Sequence, residues 1–80
     1  MPTIYREAGY RFHFYAQDHA PPHVHVEKDG RSASFFLRPV RIASNDGFKA
    51  RDLARLETMV RLSAKTFEDA WHGHFGTTDE

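Results

Sequence analysis

The chain has 80 residues and a mass of 9.3 kDa, which suffices for one small domain and leaves no room for a second. Eleven Lys and Arg balance eleven Asp and Glu, so bulk charge cannot capture nucleic acid, although a local patch can. The absence of cysteine removes disulfides, thiolate metal sites and thiol nucleophiles together, while 40 % hydrophobic and 14 % aromatic residues are too many for a disordered chain. A mean hydropathy of −0.65 without a long apolar run excludes a membrane span, and with no apolar N-terminal segment the expected location is the cytoplasm.

Ile4 and then Tyr10, Phe12 and Phe14 alternate with Arg6, Arg11, His13 and Tyr15, the period of two half-buried strands joined by a turn at Glu7-Ala8-Gly9. The run from Ala16 to Pro22 cannot continue a central strand, because Pro21 and Pro22 lack N–H donors and hold the backbone extended. A third strand follows from His23 to Glu27, then Asp29-Gly30 as a two-residue hairpin turn, then a fourth strand from Arg31 to about Leu37 that Pro39 ends or places at an edge. That turn sets Lys28 opposite Arg31, Val26 opposite Ala33 and Val24 opposite Phe35, which makes one face apolar. The other face then carries His23, His25 and Glu27 beside Ser32, Ser34, Phe36 and Arg38. A fifth short strand fits residues 40–43.

From Phe48 the period changes. Leu53, Leu56, Val60, Phe67 and Trp71 recur at helical spacing with Ala64 between them, predicting one long helix over residues 49–72 stopped by Gly73 and Gly76. Phe48 suits a hydrophobic staple, Asp52 suits the positive end, and His72 and His74 suit the negative end. Phe67 and Trp71 are core residues on this reading. The expected fold class is α+β: a four-stranded, mainly antiparallel sheet with room for a fifth short strand. One long C-terminal helix packs on one face and the histidines lie on the other. The domain spans residues 1–76, and residues 77–80 form a frayed tail.

Histidine is the compositional outlier, with six in the chain and His19, His23 and His25 inside seven positions. On a strand, His23 and His25 stand roughly 6.6 Å apart on one face, close enough to share a phosphate or a metal. Metal-free chemistry would use His23 and His25 as general base and acid, with His19 orienting and Arg38 stabilising charge at phosphorus. A metal would instead take His19, His23, His25 and Glu27. A solvated strand face is the third reading, made less apt by the stiff double proline beside it. With no cysteine and no evident acidic support for the imidazoles, the expectation is no cofactor, no metal and activity that resists EDTA. A nucleotide-hydrolase histidine triad is excluded, because Glu27 stands where the third histidine belongs. No His-Glu-x-x-His and no glycine-rich phosphate loop occurs.

Candidate contacts to nucleic acid or a partner are Tyr15, Phe36, Arg41, Arg51 and Arg55. An aromatic beside paired histidines can stack a base, or it can belong to a second small core or a dimer contact. Residues 38–65 hold seven Lys and Arg against three acids, whereas residues 66–80 hold four acids and no base. This stretch can meet phosphates or form a solvated face of mixed charge.

The segments Met1-Pro2-Thr3-Ile4-Tyr5-Arg6, Gly9-Tyr10-Arg11-Phe12, Asp18-His19 with Pro21-Pro22-His23-Val24-His25-Val26, Gly47-Phe48, and Trp71 with His74-Phe75-Gly76 resemble a small bacterial family catalogued as a domain of unknown function. Lys49 departs from the serine common in relatives and puts a side-chain helix cap there in doubt. The resemblance implies a gene encoded beside another small protein, as in a toxin-antitoxin pair; some members are labelled transcriptional regulators. The leading expectation is a toxin-like component acting on RNA through the histidine cluster. The alternative is a non-catalytic antitoxin or small regulator that binds a protein partner or nucleic acid. Expected partners are the adjacent gene's product or a second copy of the chain, and RNA, with no membrane.

Overall fold

The computed structural model describes residues 3–76. Five strands, β1 (Thr3–Glu7), β2 (Tyr10–His13), β3 (His23–Lys28), β4 (Arg31–Leu37) and β5 (Val40–Asp46), precede one helix, α1 (Ala50–Phe75). The strands form an antiparallel meander in the order β1-β2-β3-β4-β5, so the fold is α+β with five strands. Two tight turns set this register. Ala8-Gly9 and Asp29-Gly30 each have positive φ at both positions, the backbone whose twist matches that of the flanking strands. The second turn pairs Lys28 with Arg31, Val26 with Ala33 and Val24 with Phe35, as its two-residue length requires.

Phe12, Phe14, Val24, Val26, Ala33, Phe35 and Leu37 meet Leu56, Val60, Phe67 and Trp71 of α1 in a single buried cluster. The helical spacing therefore serves one face of the sheet. Phe48 is buried against Tyr10, and Asn45 fixes it by accepting from its N–H and donating to its carbonyl. Lys49 is the N-cap residue and makes no side-chain cap bond, in line with the departure noted above.

Three boundaries differ from expectation. β2 stops at His13 rather than Tyr15, because the chain turns there through a reciprocal pair of bonds between Tyr15 and Asp18. β5 extends to Asp46, since its polar Ser44, Asn45 and Asp46 pair along β4, with Ser34 and Ser44 hydroxyls 2.6 Å apart. Such a strand end carries no hydrophobic alternation to read. The helix runs through Gly73 to Phe75, because Phe75 packs on Trp71 at 4.2 Å and on Phe14 at 5.8 Å between ring centres and gives the extra turn something to bury. Gly76, at φ 87°, then ends it by donating its N–H to the His72 carbonyl. The expected tail at residues 77–80 lies outside the described residues. Among those described, no helix is long and apolar enough to cross a membrane.

Candidate functional site

Strand pairing places His13 opposite His25, His25 opposite Ser34, and His23 opposite Phe36, which in turn faces Arg41. These rows lie on the sheet face that α1 leaves uncovered. Beyond β2 the chain folds back over that face. Asp18 donates its N–H to the Tyr15 carbonyl and accepts the Tyr15 N–H on Oδ2, which leaves Oδ1 pointing at the imidazoles. Oδ1 lies 3.3 Å from His23 Nε2 and 3.2 Å from His25 Nε2. On its other side His23 donates Nδ1–H to the Pro21 carbonyl at 2.9 Å, so the loop that carries Asp18 also fixes the His23 ring.

Aromatic rings hold the cluster from several directions. Tyr15 stands edge-on to His25 at 4.6 Å and to His13 at 4.9 Å, His13 stacks on His25 at 5.6 Å, and His23 meets His25 at 5.1 Å. Trp71 reaches His23 from the helix at 5.1 Å, which revises the expectation that the histidines stand clear of the helix-covered core. The cause is position: His23 opens β3 at the end of the sheet over which the last turns of α1 pass. Side-chain exposures of 11 % for Asp18, 17 % for His23 and 24 % for His25 leave the centre partly open.

Burial alone would raise the Asp18 carboxyl, but the Tyr15 N–H and the two imidazoles outweigh it and hold the group below the usual carboxylate range. Burial likewise pushes His13 below the usual imidazole range, helped by Arg11 and His25 and opposed mainly by Glu27. His13 is 1 % exposed, and neither ring nitrogen has a hydrogen-bond partner among the described residues. An unpartnered buried polar group costs about 1–3 kcal/mol. His13→Phe, similar in shape and free of that cost, is therefore expected to leave stability unchanged or raise it by up to about 2 kcal/mol in denaturant unfolding. A clear loss would mean that the imidazole nitrogens contribute to the fold.

The structure brings together His23, His25, Tyr15 and Phe36 of the sequence-derived residues, and Arg41 joins them over the Phe36 ring at 5.6 Å. The others lie elsewhere. Glu27 shares the face, but Arg11 stands directly opposite it on β2 and pairs with it at 2.8 Å, which holds its carboxyl below the usual range. Arg38 turns to Glu68 of α1 at 2.8 Å instead of to the cluster. His19 is exposed in the loop and makes no ligand-like contact with the pair, while Arg51 and Arg55 are exposed on α1, on the opposite side of the sheet. Sequence reasoning missed Asp18, for which the available signal was an acid in a polar turn just ahead of Pro21-Pro22. It read His13 as sharing the parity of Tyr15, beside Phe36 on the histidine face, without naming it a site residue; the pairing with His25 bears out the placement.

Next to the cluster, at the β3–β4 hairpin end of the sheet, lies a pocket of about 390 Å³ lined by Arg6, Arg11, Lys28 and Arg31 against Glu27 and Asp29. Tyr15 lines it too and so belongs to both sites. The local patch that overall charge neutrality left open is therefore here, assembled from β1, β2 and the β3–β4 hairpin and not from the helix.

Residues 9–72 match a family described as "Domain of unknown function (DUF4160)", a span that includes the cluster and most of the pocket. No curated protein and no solved structure matches the chain.

Proposed function

We propose, from the premise that the chain belongs to the DUF4160 family, that this domain is an RNA-directed effector. Its uncovered sheet face seats a single strand, and its Asp18–His23–His25 centre acts on the phosphodiester. The observation that carries this reading is the place of Tyr15, which lines a cationic pocket and touches the imidazole centre. Cations on one side track a phosphate backbone, while Tyr15 and Phe36 offer ring faces to unstacked bases. Arg41, held over Phe36, offers its planar guanidinium to a base on the far side of His23. A toxin-like role belongs to this reading: expression of the chain alone arrests growth, whereas a harmless chain supports the non-catalytic antitoxin or regulator.

The direct test is binding of a fluorescent single-stranded RNA at graded salt. Four phosphate contacts from Arg6, Arg11, Lys28 and Arg31 give a slope of log affinity on log salt near −2.8, and so a loss of roughly 50-fold between 50 and 200 mM. Replacing Arg6 and Arg31 by alanine should bring the slope to about −1.4. A wild-type affinity that is indifferent to salt, or a slope the double variant leaves unchanged, overturns the reading.

A further inference from the structure

We propose that Asp18, His23 and His25 form a binding site for one divalent transition ion, with zinc as the ion to test. The proposal stands apart from the RNA reading, because it follows from the ligand atoms alone. The Pro21 carbonyl only accepts hydrogen bonds, so the Nδ1 that faces it at 2.9 Å carries the proton of His23. A neutral His23 then directs a bare Nε2 lone pair at Asp18 Oδ1, 3.3 Å away, which is itself only an acceptor. Two acceptors face each other there, and the contact is unfavourable unless positive charge, a proton on Nε2 or a metal ion, lies between them. His25 Nε2 converges on the same oxygen at 3.2 Å.

The distances fit a shared ion, and the contact from His25 lies at the long end of an ordinary hydrogen bond. Charge-assisted N–H···O⁻ bonds shorten to about 2.7–2.9 Å, and both contacts here are longer. Ligand atoms set 2.0–2.1 Å from a tetrahedral ion lie about 3.3 Å apart, which matches both. The three ligand atoms lie within 4.8 Å of one another, so they gather about one point between the loop and β3.

The surroundings fit the same use. His23 donates its remote N–H to a backbone carbonyl, the arrangement that fixes tautomer and ring plane in metal-binding histidines. Asp18 spends Oδ2 on the Tyr15 N–H and keeps Oδ1 for the ion. Two imidazoles and a carboxylate, with no thiolate, suit zinc or ferrous iron among the first-row ions, and zinc is the one tested because it binds without redox chemistry. Three protein ligands leave a fourth position open, on the partly exposed side of the cluster. The spacing of His19, His23, His25 and Glu27 suggested another ligand set and no metal. The fold replaces the two outer members by Asp18, and so supplies the acidic partner that the spacing lacked.

The test uses the untagged full chain, stripped with chelator and titrated with zinc chloride by calorimetry, then with cobalt chloride by visible absorption. One ion per chain is expected, with the ligand-field absorption of tetrahedral cobalt. Asp18→Ala, His23→Ala and His25→Ala should each weaken binding by about 100-fold or more, since even a lost supporting contact costs 10- to 100-fold. His19→Ala and Glu27→Gln should bind as the wild type does. Zinc should also raise the melting temperature of the wild type and not that of Asp18→Ala, with circular dichroism showing that both are folded beforehand. Absence of stoichiometric binding to folded wild type, or undiminished binding by Asp18→Ala, overturns the proposal. Calorimetry needs no RNA, so failure of the RNA reading leaves its result intact.

Discussion

Trp71→Ala is expected to cost about 3–5 kcal/mol, the range for truncating a large aromatic in a packed core. Trp71 is 1 % exposed and packs against Phe14 at 5.4 Å, Phe75 at 4.2 Å and His23 at 5.1 Å between ring centres. Its loss removes the partner of the helix's last turn and one wall of the histidine centre together. A domain of this length has a total stability of about 4–12 kcal/mol, so the variant sits near or beyond the unfolding midpoint at 25 °C. Trp71→Phe should cost much less. It keeps most of the packing and removes the indole N–H, which is buried without a partner among the described residues. Denaturant unfolding of both variants checks this, and an alanine variant within about 1 kcal/mol of wild type would contradict the packing account.

How far the fold could be read from sequence depended on the range of the interaction. The β3–β4 register was legible because two residues, Asp29 and Gly30, set it and every later pair follows. The helix was legible because one stripe serves one surface. The β2–β3 register was not, since the loop that joins them carries no turn signal of fixed length; without it Arg11 could not be placed against Glu27, nor His13 against His25. The site inherits the same division. His23 and His25 share a face by parity alone, whatever the partner strands do. Asp18 enters only through the return of the loop over the sheet, which rests on two bonds to Tyr15 and on the path through Pro21 and Pro22. Residues fixed by local geometry were therefore found, and the residue fixed by chain return was not. Glu27 was favoured for its parity, and it is that same parity that delivers it to Arg11.

On the proposed function, RNA processing should fall by about 100-fold or more in His23→Ala and in His25→Ala, the scale on which single groups that move protons or hold reacting atoms act. The double variant should be little worse than either single one, since groups that work as one unit lose their function together. His25→Ala should fold, because the ring is partly exposed and its contacts are to Tyr15, His13 and His23 instead of to the helix. His23→Ala carries an extra structural cost, as it strips a ring from Trp71 and a donor from the Pro21 carbonyl. Asp18→Asn separates position from charge: the amide can keep the Tyr15 contact on its oxygen while offering the imidazoles an N–H in place of an anion. If the carboxylate serves only to pin the loop, Asp18→Asn should process RNA at nearly the wild-type rate. If it acts on the cluster as a charge, the variant should lose as much as the histidine variants while melting like the wild type. Rates on a short single-stranded RNA, measured beside circular dichroism of each variant, decide between these. Full activity in the His23→Ala, His25→Ala double variant would remove the chemistry from this centre altogether.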